Sequence, residues 1–462
     1  MHRGRHNGLT AKQSILWSFS YCPTSQIILC SSQPKPASYR FEECLNPQRR
    51  FADLFKPQKS EGELRLRRPE GKEIAVKITN IETFIYKPTW NWLFLKMETD
   101  EGIYGWGEAT TQAQEKDVEA CIHNLADYLI GKDPRDIELH WSTMFRNSYW
   151  RPSFVVSSAM SGLDMAMWDI LGKTLGAPVY RLLGGPVRDR IKVYHNGWWF
   201  PAKSTDDYVW LAERQVKERG AKALKWDPFW GCDLFTSSEE DIRKVIDNVA
   251  RVRKAVGDDV GLMIDCHSRL TTNGAIRFAH AVAEYKPAWF EEPIPTDAAP
   301  EDLARVAAST DIPIVTGERV VTRWCFRDIF EKRAAATINP DPCHAGGVSE
   351  MKKIGEMAHA YYVGFSPHSA GGPVMVAANL HVEACAPNFV IHEFFSVDPP
   401  YYKEILKEPF PALKDECLEL PERPGLGVDI DEEALSKRPY KYHDMSSFWD
   451  VPQVPAGGTL ES

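Results

Sequence analysis

The chain has 462 residues, a length that predicts two or three folding units rather than one small domain. Its formal net charge of -9 argues against nucleic acid as a main partner, because phosphate binding requires a basic surface. No uninterrupted apolar run reaches the roughly 18 residues that a membrane span requires, so no membrane partner is expected. The ten cysteines form no CxxC pair, which is typical of reduced thiols in a cytoplasmic enzyme rather than of a disulfide framework.

Residues 1–72 form an extension without sustained hydrophobic periodicity. They are rich in Ser, Pro, Gln and Arg, and the first 41 residues contain no Asp or Glu. Such a composition favours disorder, although a targeting peptide or a spuriously translated segment would have the same character. We therefore expect the ordered protein to begin near residue 73.

The stretch 73–188 has the pattern of a small α+β domain. Alternating apolar residues predict a three-stranded meander, and two helical patterns follow it. The strands are predicted over 74–86, 92–99 and 103–106, and the helices over 117–129 and 157–175. We interpret this stretch as a domain that caps the remainder of the protein.

The stretch 189–395 alternates short apolar runs with amphipathic helical segments. Buried strands that alternate with helices indicate a parallel sheet, and eight such strands predict a TIM-type (β/α)7β barrel of the α/β class. The strands are predicted at 193–195, 223–227, 261–265, 288–292, 313–318, 335–340, 362–367 and 389–394. The C-terminal segment 396–462 is expected to return to the cap and to end in a tail.

Charged or titratable side chains end the predicted barrel strands. Asp265, Glu291 and Glu318 are spaced by 26 and 27 residues, which is about one strand, one helix and two loops. Any one of them alone could cap the following helix, but residues in phase should converge at the C-terminal mouth of the barrel. Three carboxylates there would repel each other without a cation, and an all-oxygen ligand set favours Mg²⁺ over Ca²⁺ or Zn²⁺.

Two histidines flank this predicted metal site. His267 follows Asp265 by two residues, so on an extended chain it would face the same side. His368 ends the seventh strand, and Asp341 at the end of the sixth strand could orient its imidazole. A neutral histidine beside a divalent cation can remove the weakly acidic proton next to a carboxylate. A second histidine would permit loss of a 3-hydroxyl, so that a small sugar acid would give a 2-keto-3-deoxy acid.

Two stretches of the predicted cap, 86–92 and 146–151, are both aromatic and basic. They fit a lid over a polyhydroxy acid, in which Trp92 covers the substrate and Arg151 or Arg146 meets its distal end. Packing of the cap against the barrel would explain the same residues. Both interpretations stay open at this point.

These motifs closely resemble the mandelate racemase/muconate lactonizing enzyme branch of the enolase superfamily. The resemblance covers roughly residues 74–420 and is carried by 105–109 (GWGEA), 159–173, 290–293 (FEEP), 316–319 (TGER), 339–347 and 366–368 (SPH). It implies the Mg²⁺ ligands and the His368 dyad already described, and it adds Glu393 as a hydrogen-bonding acid beside the substrate carboxylate. It also implies a homo-oligomer.

The segment Asp265-Cys-His267-Ser-Arg269 is similar to the acid-sugar dehydratases of the galactonate and mannonate type within this branch. In the galactonate type, His368 would abstract the C2 proton and His267 would protonate the leaving 3-hydroxyl. The sequence alone does not fix which histidine has which role.

One motif departs from the racemases of this branch, which carry Lys-x-Lys on the second strand. Here the motif is Lys225-Trp-Asp227, and the missing second lysine weakens racemisation. Lys225 and Asp227 would either bind substrate hydroxyls or form a structural ion pair. We predict a Mg²⁺-dependent dehydratase of an aldonate such as galactonate, with an epimerase, a cycloisomerase or a catalytically weak regulatory homologue as alternatives.

Overall fold

The computed structural model describes residues 76–151, 153–232, 238–295 and 297–442. The predicted N-terminal extension and the end of the predicted tail lie outside the described residues. The cap, the barrel and the C-terminal elements belong to one compact unit of the chain.

The first described elements form an α+β cap. They are β1 (Ile78–Tyr86), β2 (Trp92–Thr99), β3 (Tyr104–Glu108), α1 (Glu115–Leu129), α2 (Ile137–Asn147), α3 (Phe154–Leu175) and α4 (Val179–Leu182). The three strands form an antiparallel sheet in the order β1-β2-β3, as the meander pattern predicts. Helix α2 has no counterpart among the helices predicted from the sequence.

Helix α3 is the buried centre of the cap. By length and composition alone it could cross a membrane. However, 72% of its most apolar stretch is buried inside the protein, as in the core helix of a globular domain. Strand β3 packs directly on the backbone of α3. A Cβ atom on Gly107 would lie 1.9 Å from the carbonyl oxygen of Gly162, so this glycine of the 105–109 motif is required by packing.

Eight parallel strands follow the cap. They are β4 (Arg190–Asn196), β5 (Ala223–Trp226), β6 (Gly261–Asp265), β7 (Trp289–Glu291), β8 (Ile314–Thr316), β9 (Thr337–Ile338), β10 (Gly364–Phe365) and β11 (His392–Phe395). Each strand from β4 to β9 pairs with the next one, and β11 returns to pair with β4. A parallel bridge between Phe365 and Phe389 completes the ring. The predicted TIM-type (β/α)7β barrel with an α+β cap is therefore confirmed.

Seven helices connect these strands. They are α5 (Thr205–Arg219), α6 (Glu239–Val256), α7 (Thr272–Val282), α8 (Pro300–Ala308), α9 (Thr322–Lys332), α10 (Gly347–Ala360) and α11 (Pro373–Cys385). Strand β6 has the bounds that the sequence predicts. The predicted (β/α)7β order implies a helix at α5, but its apolar periodicity is weak because only Tyr208, Ala212 and Gln215 of its side chains are buried.

The C-terminal elements return to the cap and to the first barrel strand. They are α12 (Pro399–Ile405), β12 (Leu413–Lys414), β13 (Cys417–Glu419) and α13 (Glu432–Leu435). Strand β13 pairs in antiparallel fashion with β4. Asp429 accepts hydrogen bonds from Trp106 Nε1 at 2.9 Å and from the Tyr104 hydroxyl at 2.8 Å, which anchors this segment on β3.

Two buried carboxylates of the cap hold the N-termini of barrel helices. Glu108, at the end of β3, accepts hydrogen bonds from the backbone N–H groups of Gly372 and Met375 at 2.5 and 2.9 Å. Asp164 in α3 accepts hydrogen bonds from the backbone N–H and the hydroxyl of Ser349 in α10. Burial raises the pKa of both carboxyl groups to about 7, although these hydrogen bonds favour their charged forms. The cap therefore docks on the barrel partly by capping its helices.

We expect Gly107→Ala to lower the free energy of unfolding by about 3 kcal/mol, because its Cβ would collide with the backbone of α3. Gly355→Ala is a matched control, since the atoms nearest to its new Cβ lie at 3.6 Å, an ordinary contact distance. That helical substitution should be neutral or should stabilise by up to about 1 kcal/mol. Urea denaturation measures both, and equal stability of the two variants would contradict the close packing of β3 on α3.

Candidate active site

Three carboxylates converge at the C-terminal ends of β6, β7 and β8. Asp265 ends β6, Glu291 ends β7, and Glu318 lies two residues beyond β8. All three side chains are buried, and one carboxylate oxygen from each lies within 4.8 Å of the others. Parallel pairing explains the convergence, because Asp265 is directly opposite Glu291 in the register of β6 and β7. The fold thus brings together the three residues predicted as metal ligands.

The ammonium group of Lys225 lies among these carboxylates. Its Nζ is 2.6 Å from an oxygen of Glu291, 2.8 Å from one of Glu393 and 3.5 Å from one of Asp265. Burial alone would lower the pKa of Lys225, but Glu291 and Glu393 raise it well above its usual value. Lys225 is therefore a permanent cation, and its contacts favour the ion pair over the binding of substrate hydroxyls.

The remaining negative charge at the mouth suits a divalent cation. Glu318 Oε2 is buried and accepts no hydrogen bond from the described residues, while Glu318 Oε1 lies 3.4 Å from Arg319 Nε. Burial alone would raise the pKa of Glu318, but His368 and Arg319 lower it to about 2, so the group is ionised. Buried carboxylate oxygens that lack a donor are ligands of the kind that hard divalent ions take in proteins. The cluster can therefore hold a metal ion.

His368 and Asp341 form a dyad beside the cluster. His368 Nδ1 is 2.7 Å from Asp341 Oδ2, and His368 Nε2 is 3.5 Å from Glu318 Oε2. The other oxygen of Asp341 accepts a hydrogen bond from the backbone N–H of Cys343 at 2.6 Å, which fixes the carboxylate. Burial alone would lower the pKa of His368, but Glu318, Glu393 and Asp341 raise it to about 10. Because Nδ1 is engaged by Asp341, Nε2 is the atom that faces the cluster.

His267 and Asp227 form a second dyad, which was not predicted from the sequence. His267 Nδ1 is 2.8 Å from Asp227 Oδ2, and His267 Nε2 is 3.4 Å from Asp265 Oδ2. Arg269 Nη1 donates to the same Asp227 oxygen at 2.7 Å. Burial alone would raise the pKa of Asp227, but Arg269 and His267 lower it. Asp227 is thus an ionised, fully buried partner of His267.

The backbone at His267 differs from the extended chain that the sequence analysis assumes. His267 and Ser268 adopt left-handed conformations, with φ values of 45° and 64°. Non-glycine residues adopt this region at a cost in free energy, and such strain is often found at functional sites. The backbone N–H of His267 donates to Asp265 Oδ1 at 3.0 Å, so a tight turn rather than strand alternation places the imidazole beside the cluster.

Glu393 lies in β11, and both of its oxygens accept hydrogen bonds. Oε1 accepts from Lys225 and from Asn196 Nδ2, and Oε2 accepts from the backbone N–H of Ser369, at 2.8 Å in each case. Burial alone would raise the pKa of Glu393, but Lys225 and His368 lower it to about 2. Its predicted role as a hydrogen-bonding acid requires a proton that these contacts disfavour, and that role stays a prediction.

The two predicted lid residues make contacts of other kinds. Trp92 is fully buried, and its ring packs against those of Tyr86 and Tyr402 at centroid distances of 5.8 and 5.6 Å. Arg151 is exposed, and its guanidinium carbon lies 4.9 Å from the centroid of the Phe145 ring. These contacts agree with packing, the other interpretation of the same stretches. Substrate binding by Trp92 or Arg151 stays a prediction.

Further polar residues complete the site, although the sequence analysis assigns them no role. Asn339 Nδ2 and Trp289 Nε1 each donate to one oxygen of Glu291, at 2.9 Å in both cases. Strand alternation could have predicted the role of Trp289, because it precedes Glu291 by two positions and so faces the same side of β7. Asn339 lies two residues before Asp341, in one of the motifs that resemble the family. Such donors fix the orientation of a metal-ligating carboxylate.

Comparison with known proteins identifies the family. Residues 83–184 match the mandelate racemase/muconate lactonizing enzyme N-terminal domain, and residues 207–434 match the enolase C-terminal domain-like family. These matches follow the order of cap and barrel in the structure. The chain belongs to the mandelate racemase/muconate lactonizing enzyme branch of the enolase superfamily, which confirms the resemblance.

Individual relatives narrow the class of enzyme. The D-galactonate dehydratase of Xanthomonas euvesicatoria pv. vesicatoria is 39% identical over 377 residues, which are 78% of this chain and 94% of the relative. The D-galactonate dehydratase of Ralstonia nicotianae is 38% identical over 376 residues, which are 79% of this chain and 94% of the relative. The predicted assignment to the hydro-lyase class of enzymes is confirmed by these relatives.

Solved structures of the superfamily have the same fold. A member of the enolase superfamily from Salmonella Typhimurium superposes with a TM-score of 0.75 at 32% identity, covering 79% of this chain and 99% of the other. A mandelate racemase/muconate lactonizing enzyme from Sulfitobacter sp. gives a TM-score of 0.73 at 33% identity, covering 79% and 96%.

We expect Mg²⁺ or Mn²⁺ to stabilise the wild-type protein by about 2.7 kcal/mol at a concentration 100 times its Kd, because the folded carboxylate cluster binds the ion and the unfolded chain does not. Glu318→Gln should remove most of this effect, since it replaces the oxygen that lacks a donor. The measurement is thermal denaturation over a cation titration.

Glu292→Gln is the matched control for this titration. Glu292 is buried next to Glu291, but its carboxylate accepts hydrogen bonds from the Thr316 hydroxyl and the Gly317 backbone N–H. This variant should keep the response to the cation. An equal response in the two variants, or no response in the wild type, would contradict the assignment of the cluster.

Proposed function

We propose that the enzyme is a Mg²⁺-dependent dehydratase of a sugar acid, with aldonates of the galactonate type as the first candidates. It would abstract the C2 proton to give an enediolate and eliminate the 3-hydroxyl, which yields a 2-keto-3-deoxy acid. Two relatives with 38% and 39% identity are named D-galactonate dehydratases, which supports this substrate class.

The observation that carries the proposal is the pair of histidine–aspartate dyads. The His267 dyad belongs to β5 and β6, and the His368 dyad belongs to the ends of β9 and β10. Strands β6 and β10 are four positions apart in a ring of eight, so the two imidazoles approach the mouth from opposite sides. Dehydration requires a base at C2 and an acid at the 3-hydroxyl, and two opposed histidines meet that requirement.

Mg²⁺ is the cation that we assign to Asp265, Glu291 and Glu318. The donor set supports this choice, because it consists of carboxylate oxygens and includes no thiolate or imidazole. When bound, Mg²⁺ supplies positive charge that stabilises the second negative charge developing on a carboxylate substrate. Lys225 contributes a fixed positive charge at the same place.

His368 is the group that we assign as the base. Its Nδ1 is held by Asp341, so Nε2 is the atom that would accept the C2 proton. The carboxylates that raise the pKa of His368 to about 10 would be offset by a cation at the cluster, which would leave Nε2 neutral and able to act as a base. The electron pair of the C2–H bond passes into the enediolate and then forms the C2=C3 double bond as the C3–O bond breaks. His267 Nε2 gives its proton to the departing oxygen, which leaves as water. The resulting enol becomes the ketone of the product.

An epimerase is the second candidate, and the same two dyads favour it. A C2 proton removed by one histidine could be returned by the other on the opposite face. Such a reaction leaves the mass of the substrate unchanged, whereas dehydration removes one water.

Incubation of the purified enzyme with Mg²⁺ and a library of aldonates and aldarates should give a 2-keto-3-deoxy product, detected as its semicarbazone. EDTA should abolish the reaction. His368→Asn should lower kcat by about 10² to 10⁴-fold and should also abolish exchange of the C2 proton in D₂O, because the proton has no acceptor.

His359→Asn is the matched control, because His359 is exposed on α10 and should not affect turnover. A product of unchanged mass that has exchanged its C2 proton would favour the epimerase. Neither product nor exchange from any library member, with the cation bound, would contradict both candidates.

A further inference from the structure

Both oxygens of the fully buried carboxylate of Asp227 accept hydrogen bonds from the protein. Its Oδ1 accepts a hydrogen bond from the backbone N–H of Phe229 at 2.7 Å. Its Oδ2 accepts from His267 Nδ1 at 2.8 Å and from Arg269 Nη1 at 2.7 Å. Both side chains that meet Oδ2 come from the turn after β6. These contacts disfavour direct binding of substrate hydroxyls, one of the two roles that the sequence offers for this residue.

The position of Asp227 follows from the register of the barrel. Trp226 pairs with Ile264, so the next residues, Asp227 and Asp265, leave neighbouring strands side by side. The turn that begins at Asp265 then brings His267 back over the end of β5. The His368 dyad has the same plan, because Asp341 follows β9 and His368 follows β10. In both dyads the aspartate comes from the strand that precedes the histidine's strand.

Arg269 completes this second dyad as a buried anchor. Its side chain is fully buried, and Nη1 also donates to the carbonyl oxygen of Cys266 at 3.3 Å. A guanidinium at this distance keeps the carboxylate fixed and charged, so Asp227 stays available as an acceptor for His267. Two side chains of this turn, which contains left-handed residues, therefore contact a single aspartate on the neighbouring strand.

We propose that Asp227, anchored by Arg269, is a positioning residue that holds His267 with a proton on Nδ1 and with Nε2 directed at the leaving 3-hydroxyl. In the Lys225-Trp-Asp227 motif, Asp227 stands where the racemases have the second lysine of Lys-x-Lys. Unlike that lysine, Asp227 acts through a histidine from the next strand. This inference rests on the proposed dehydratase function. It assigns the two proton transfers to different dyads: Asp227 is needed for elimination of the 3-hydroxyl, and Asp341 is needed for removal of the C2 proton.

The first test is Asp227→Asn, which preserves the shape of the side chain. We expect kcat for dehydration to fall at least about 100-fold, with KM within about threefold of wild type, because a neutral amide holds the Nδ1–H of the doubly protonated imidazole more weakly than a carboxylate does. Exchange of the C2 proton in D₂O should persist. Asp341→Asn is the matched control and should lose exchange and elimination together. Loss of both in Asp227→Asn would overturn the inference.

A substrate analogue with a better leaving group separates positioning from structural damage. Fluoride at C3 leaves as an anion and needs little protonation, so a 3-deoxy-3-fluoro aldonate should bypass His267. Asp227→Asn and His267→Asn should each lose less than about tenfold with this analogue. An equal loss with the fluoro and hydroxy substrates would show that Asp227 maintains the structure rather than the acid.

The double variant tests whether Asp227 acts through His267. If it does, Asp227→Asn should cost nothing further in the His267→Asn background, because residues that act as a unit are not additive. A further loss equal to that of the single Asp227→Asn variant would contradict the proposal.

Nuclear magnetic resonance of the full-length protein, labelled with ¹⁵N-histidine, tests the contact without turnover. The wild type with Mg²⁺ should show an Nδ1–H signal that disappears in His267→Asn and is deshielded by a carboxylate acceptor. Absence of that signal would overturn the inference, even if Asp227→Asn did not fold. If the wild type dehydrates no sugar acid, the proposed function fails, whereas this signal still decides whether Asp227 holds His267.

Discussion

The burial of three carboxylates around the ammonium group of Lys225 is the interaction on which the rest of the site depends. Those of Asp265, Glu291 and Glu393 lie within 3.5 Å of its Nζ. One positive charge does not offset three negative charges, so the surplus must be met by a metal ion or by protons on neighbouring groups. Burial alone would lower the pKa of His368, but the nearby carboxylates raise it to about 10. This raised pKa is a direct effect of the surplus negative charge. The same charges that favour a divalent cation therefore govern the protonation of the proposed base.

The cap contributes more than a cover over the mouth, because it holds the loops that carry the His368 dyad. Ser157 in α3 donates to the carbonyl oxygen of His344 at 2.6 Å, just beyond Asp341. On the other loop, Trp90 Nε1 donates to the carbonyl oxygen of Ala370 at 3.1 Å, two residues after His368. Together with the helix caps made by buried cap carboxylates, these bonds make the geometry of the base depend on how the cap is docked. The two motifs of the cap that resemble the family are thus structural links to the loops that carry the His368 dyad.

The sequence predicts the barrel and the convergence of the three carboxylates well because both follow from local periodicity. Each βα unit repeats about every 25 residues, so a side chain that ends one strand predicts where its neighbours will be. The dyad of His267 and Asp227 could not be found in this way, because it depends on strand register and on a left-handed turn at a non-glycine residue. The bounds of helix α5 are hard to predict for a different reason, since few of its side chains are buried. Trp92 has the residue type of a lid but is packed in the interior, and sequence alone does not distinguish these environments.

A crystal structure of the His368→Asn variant with Mn²⁺ and an aldonate substrate tests most directly whether cation and substrate lie between two opposed dyads. Anomalous scattering should place one Mn²⁺ in contact with oxygens of Asp265, Glu291 and Glu318. The C2 atom should face position 368, and the 3-hydroxyl should lie within hydrogen-bond distance, about 3 Å, of His267 Nε2. A cation bound elsewhere, or a 3-hydroxyl directed away from His267, would contradict this description of the site.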